Sequence, residues 1–144
     1  MSVAQILSAK GRTVHTAMAS DKLEAVAKTL ADKRIGSVVI TDGKGGIAGI
    51  LSERDIVRAV ARNGAGALEL PASSAMTSDV RTCAPSDSEA ELMAVMTAHR
   101  IRHLPVIEGG RLAGMISIGD VVKFRIEAIE REAEDMKSYI ATAG

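Results

Sequence analysis

Apolar positions along this chain alternate between helical spacings of three and four and unbroken β-branched runs. Leu23, Val26, Ala27 and Leu30 recur at helical intervals, and so do Leu92, Val95 and Met96. Each set is followed by an apolar run, Val38-Val39-Ile40 or Leu104-Pro105-Val106-Ile107. A glycine turn (Asp42 to Gly46, or Gly109-Gly110) then leads into Ile47 to Leu51 or Leu112 to Ile116. That order predicts a helix followed by a hairpin, twice. Upstream of each helix, Thr13 to Thr16 and Asp79 to Cys83 read as extended, after short lead-ins at Ser2 to Leu7 and Ser74 to Thr77. Ser20 and Ser86 are the expected N-caps.

Both units end on the same step. Gly49-Ile50-Leu51-Ser52-Glu53-Arg54-Asp55 and Gly114-Met115-Ile116-Ser117-Ile118-Gly119-Asp120 run from a strand into Ser-x-x-Asp. This is a capping box in which Asp replaces the usual Glu or Gln. The helix start it creates also offers unpaired N–H groups and partial positive charge, which suit phosphate.

The recurrence is a tandem duplication. Thr16 to Asp21 aligns with Thr82 to Asp87 at a shift of 66, as does Lys33-Arg34-Ile35 with His99-Arg100-Ile101. The shorter second turn brings the shift to 65 at Gly49 and Gly114. The expected organisation is one repeat at 1–63, a small-residue seam at 64–73, a second repeat at 74–125 and a helical tail at 126–144. Helix is expected from Asp120 to about Ile140, with Val122, Ile126, Ile129, Ala133, Met136 and Ile140 forming a heptad seam. That seam either packs on its own domain or joins a second copy.

Composition narrows the function. Hydrophobic residues make up 47% of the 144, yet Phe124 and Tyr139 are the only aromatics, so the core is aliphatic and base-stacking platforms are excluded. Eighteen basic and eighteen acidic residues cancel, which argues against nucleic acid and anionic membranes as partners. No apolar run approaches the roughly 20 residues of a membrane span, and no signal-peptide pattern opens the sequence, so a cytoplasmic location is the expectation. Cys83 is alone, which removes intrachain disulfides and cysteine-based zinc sites. The run Gly43-Lys44-Gly45-Gly46 precedes a strand rather than a helix and fails the context of a phosphate loop. His15, His99 and His103 form no recognisable nucleophile or metal pattern.

The duplicated helix–hairpin–helix order, Met76-Thr77, Leu104-Pro105-Val106 and the double Gly-h-h-Ser-x-x-Asp motif resemble a tandem cystathionine-β-synthase (CBS) domain pair over residues 2 to 125. The resemblance implies an α/β (α+β) fold of two repeats. Each would be a small sheet flanked by two helices, related by a pseudo-two-fold axis, with the long C-terminal helix added. It also implies a non-catalytic sensor, without a catalytic cofactor, that binds AMP, ADP, ATP or NAD in two clefts between the repeats.

Carried over by position, Asp55 and Asp120 would accept the ribose hydroxyls, and Ser52 and Ser117 would hold ribose or phosphate. The Asp120 cleft would use Arg12, Val14, Ile35, Gly36 and Met115, with Arg102 and His103 as a basic pair toward phosphate. The Asp55 cleft would use Ile50, Thr77, Ser78, Val80 and Ile101, with Arg54 as its cation. The copies are thus expected to be unequal, each with its own cation source. A homodimer and an unidentified effector protein complete the implied partners. Two other readings stand beside this one: a structural dimeric scaffold with vestigial clefts, and an enzyme whose site the sequence hides.

Overall fold

Lead-in, strand, helix and hairpin recur in the computed structural model, which describes residues 2–143. The first half contains α1 (Val3–Lys10), β1 (Thr16–Met18), α2 (Leu23–Lys33), β2 (Ser37–Thr41), β3 (Ile47–Ser52) and α3 (Glu53–Asn63). Two 3₁₀ turns, Gly64–Glu69 and Ala72–Ser74, form the seam. The second half contains α4 (Glu89–His99), β4 (His103–Glu108), β5 (Arg111–Ser117) and α5 (Ile118–Ala143). This is the expected α/β (α+β) pair of small sheets with a long closing helix.

β1 runs parallel to β2, with Thr16 opposite Val39, and β2 pairs antiparallel with β3, with Val39 opposite Ile50. In the second sheet β4 pairs with β5, and Cys83 bridges Val106 in parallel where β1 pairs with β2 in the first. The extended pieces are therefore shorter than the sequence suggested. Thr13 to His15 lie outside the strand, and Asp79 to Thr82 have no strand pairing. Gly109 and Gly110, at φ 58° and 76°, make the tight second hairpin between the paired residues Glu108 and Arg111.

The expected caps at Ser20 and Ser86 are not used. α2 follows Lys22 without a side-chain cap, and its Leu23 N–H donates instead to the Leu70 carbonyl of the seam at 2.9 Å. α4 is capped by Ser88, whose hydroxyl accepts from the Glu91 N–H. The neighbours Asp21 and Asp87 fold the turn ahead of each helix, their carboxylates accepting from the Met18 and Ala84 N–H groups. Ser-Asp thus makes a turn, and the helix begins about two residues later.

Packing does not follow chain order. Val3, Ile6 and Leu7 of α1 are buried with Leu92, Met96, Leu104, Val106, Ile116 and Val121 of the second half. Ala67 and Ala72 of the seam are buried with Leu23, Val26, Val38, Ile40 and Leu51 of the first. Each half is completed by the segment preceding the other. The paired motif glycines are the docking notches. A Cβ at Gly114 would sit 2.6 Å from Leu7 Cδ2, and one at Gly49 would sit 2.8 Å from both Met76 Sδ and the Thr77 carbonyl. The glycine opening each repeated motif is thus required by close packing, whatever the cleft holds.

α5 leaves the core early. Val121 is buried and Phe124 partly so, and Arg125 reaches Glu89 at 3.0 Å. The expected heptad positions Val122, Ile126, Ile129, Met136 and Ile140 stay exposed, together with Val57 and Val60 on α3. The seam is therefore not covered by its own domain. Among the described residues no helix is long and apolar enough to cross a membrane.

Candidate functional site: two unequal clefts between the repeats

Strands β3 and β5 end on the same device. The Ser52 and Ser117 hydroxyls accept from the Asp55 and Asp120 N–H groups at 3.3 and 3.1 Å. In return the Ser52 and Ser117 N–H groups donate to Asp55 Oδ2 and Asp120 Oδ2, both at 2.9 Å. Both capping boxes close, and each fixes its carboxylate at the mouth of a cleft. Among the described residues neither Oδ1 makes a hydrogen bond; Arg58 stands 3.8 Å from Asp55 Oδ1. Each carboxylate therefore keeps an acceptor-only oxygen for a ligand that donates.

Ile50, Ser52, Arg54, Asp55, Thr77, Val80 and Ile101 line the Asp55 cleft. Ile50 and Thr77 exchange both backbone hydrogen bonds there, at 3.0 and 2.8 Å, so the segment bridging the halves forms one wall. Ser78 does not line it. Val14, Ile35, Gly36, Met115, Ser117 and Asp120 line the Asp120 cleft, together with His103.

Two expected members are elsewhere. Arg12 points to Glu108, at 3.0 Å, and stays outside the cleft. Arg102 lines the Asp55 cleft, beside Arg54, rather than the Asp120 cleft. The reason is local. Arg102 immediately precedes β4, so it stays on the Asp55 side, while His103, the first strand residue, reaches both clefts.

Gly36 and His103 line both clefts. A Cβ on Gly36 would lie 3.3 Å from the His103 imidazole, so the ring packs on glycine backbone as a partition. Burial pushes His103 below its ordinary value; Asp120 and Glu53 pull it up, while Lys10 and Arg102 push it down. Its charged fraction near neutral pH is therefore below that of a free imidazole, which makes it a weaker partner for phosphate. The unfolded chain takes up this proton at higher pH than the folded one, so the stabilising contribution is present above the ordinary histidine value and lost as pH falls through the folded value. Acidification from about pH 6.5 downward is expected to lower the melting temperature, and His103→Gln to flatten that dependence. An NMR titration of the His103 ring that midpoints above the ordinary value would contradict this.

Lys10, at the C-terminal end of α1, was not legible as a cleft residue. Its ammonium donates to Asp120 Oδ2 and, at 2.6 Å, to the Met115 carbonyl. Burial would raise the Asp120 carboxyl, but Lys10 and the Ser117 amide and hydroxyl outweigh it and hold it below the ordinary range. Arg34 and Ser37 also line this cleft, and Ser37 Oγ is buried without a hydrogen-bond partner among the described residues. On the other side Arg58, Arg81 and Arg100 join the Asp55 cleft. The repeat alignment carried one signal for them, since it pairs Arg34 with Arg100. Both adopt left-handed backbone, at φ 55° and 53°, at the end of their helices. Cys83 is buried, and desolvation pushes its thiol up to about 12, so it is no nucleophile.

Known proteins share this architecture. The family model of the CBS domain matches residues 6–62 and 72–127. The CBS-domain containing protein ATU1752 from Agrobacterium tumefaciens is 48% identical, with a TM-score of 0.84 over 86% of this chain and 92% of that one. The mitochondrial CBS domain-containing protein CBSX3 of Arabidopsis thaliana is 27% identical over 96% of this chain and 71% of its own length. The CBS domain pair of protein MJ0100, crystallised with 5′-methylthioadenosine and S-adenosyl-L-methionine, shares the fold at a TM-score of 0.79 and 23% identity, over 89% of this chain and 98% of that one. With two matched repeats, duplicated capping boxes and clefts between the halves, the chain belongs to the CBS-domain family as a tandem pair.

Proposed function

We propose that this chain is a non-catalytic sensor that binds adenosine-containing nucleotides (AMP, ADP, ATP or NAD) in its two clefts and passes their occupancy to an effector protein. The observation that carries the reading is the pair of capping-box carboxylates, each fixed by its own helix start and lining a cleft, with no hydrogen bond on Oδ1 among the described residues. A ribose 2′,3′-diol donates twice, and an ionised carboxylate only accepts, so the two are complementary. Ile50 and Met115 supply an apolar wall beside each carboxylate, and the buried Ser37 hydroxyl offers one more polar contact in the Asp120 cleft. MJ0100 holds adenosine compounds on the same fold.

The apolar stripe on α3 and α5 supports a second element of the reading, a homodimer through those helices. A ligand between the halves acts on such an assembly by as much as its affinity differs between two arrangements. Thermal denaturation with each nucleotide tests the proposal. A ligand at 100 times its dissociation constant is expected to stabilise the fold by about 2.7 kcal/mol. The absence of a shift with AMP, ADP, ATP and NAD alike would favour a scaffold with vestigial clefts.

A further inference from the structure

The duplication makes the clefts comparable residue by residue, and their charges have diverged. Arg54 and Arg58 of α3, Arg81 of the segment entering the second half, and Arg100 and Arg102 flanking Ile101 all line the Asp55 cleft. In the aligned positions of the other repeat stand Gly119, Lys123, His15, Arg34 and Gly36. Of these, Lys123 does not line the Asp120 cleft, whose lysine and arginine among the described residues are Lys10 and Arg34. Lys10 is already engaged by Asp120.

The arginines of the Asp55 cleft outnumber its carboxylates, five to three. Arg58 stands 3.8 Å from Asp55, and the other four make no ion pair among the described residues. Glu53, Asp55 and Asp79 are the carboxylates facing them. The lining keeps a positive excess, which concentrates anions, and guanidinium clasps phosphate oxygens two at a time. One terminal phosphate is satisfied by one or two such clasps. Five guanidiniums from three separate segments fit a longer anion.

Resting on the adenosine reading above, we infer that the Asp55 cleft selects adenosine polyphosphates over the monophosphate. The phosphate chain draws α3 toward the α4–β4 turn, across the boundary between the halves. The Asp120 cleft, with its lysine held on its own carboxylate, takes an adenosine compound that lacks such a chain.

Titration calorimetry at fixed ionic strength without magnesium tests this, using AMP, ATP and inorganic tripolyphosphate as separate probes. ATP is expected to bind one site about tenfold or more tighter than AMP, which is one added charge-assisted contact. Arg81→Ala combined with Arg102→Ala is expected to weaken ATP about tenfold more than AMP and so to remove that preference. Arg34→Ala, in the other cleft, is expected to leave it intact. Melting without ligand verifies folding, and Arg102→Lys retains charge if the alanine variant is unstable. Equal affinity for AMP and ATP, or equal weakening of both by the double variant, would overturn the inference and leave the adenosine reading standing. Binding of tripolyphosphate with neither nucleotide would overturn the adenosine reading and support the anion site. Failure of all three probes to bind removes both.

Discussion

Leu7→Ala is expected to lower unfolding stability by about 2–5 kcal/mol, although the residue lies near the start of the chain. Terminal positions usually tolerate change because they fray. Here Leu7 is 1% exposed, and its Cδ2 occupies the notch above Gly114. Truncation leaves a cavity in the second core that cannot close easily, because Ile116 and Leu104 are held in a sheet. α1 has eight residues, too few to persist as a helix alone, so its order comes from docking. Its other anchors are the Val3 N–H to the Asp87 carbonyl and the Lys10 ion pair. Denaturant titration gives the stability, and amide exchange across α1 should show protection lost there before elsewhere. A cost under about 1 kcal/mol with α1 still protected would mean that Leu7 is not a core residue of the second half. Undocked α1 also withdraws Lys10 from Asp120, so this packing change reaches the cleft.

The sequence made local order legible and hid what lies between elements. Periodicity located α2, α4, both hairpins and the long α5, because each depends on its own residues. The duplication located both capping boxes for the same reason. Periodicity cannot say which core an apolar face enters, so Val3, Ile6 and Leu7 read as the start of the first repeat while they pack in the second. Lys10 is illegible for the same reason, since its role depends on that crossing. Ser20 and Ser86 looked like caps because Ser is a common N-cap, but the adjacent Asp21 and Asp87 turn the chain first. Arg54 was legible in the Asp55 cleft from its motif, but the arginines that join it there were hidden for a geometric reason. Arg54, Arg81 and Arg102 are far apart in the chain, and which side of β4 Arg102 faces follows from a strand boundary that sequence locates poorly.

Asp55→Ala is expected to weaken nucleotide binding at its cleft by about 10²- to 10⁴-fold. Two hydrogen bonds from a ribose diol to a carboxylate contribute about 1.5–3 kcal/mol each, and each 1.4 kcal/mol is tenfold. The substitution also opens the capping box, because Asp55 Oδ2 accepts from both the Ser52 amide and its hydroxyl. That loss costs about 0.5–2 kcal/mol of stability and confuses the two roles. Asp55→Asn separates them. Its carbonyl can still accept from Ser52 N–H, while its amide offers the diol a neutral group in place of a charged acceptor, so binding falls and stability stays near wild type. Asp120→Asn should differ, because Lys10 loses an ionised partner as well. The depressed Asp120 carboxyl contributes stability above the ordinary aspartate value, lost as pH falls through the folded value. Wild-type stability should therefore decline below about pH 4 more steeply than that of Asp120→Asn. The decisive comparison pairs the protein change with a ligand change. If Asp55 holds the diol, 2′-deoxy-ATP binds wild type more weakly than ATP, and Asp55→Asn shows no such difference, the signature of two groups acting on one contact. Equal binding of ATP and its 2′-deoxy form by the wild-type Asp55 cleft would leave the carboxylate as a helix cap alone.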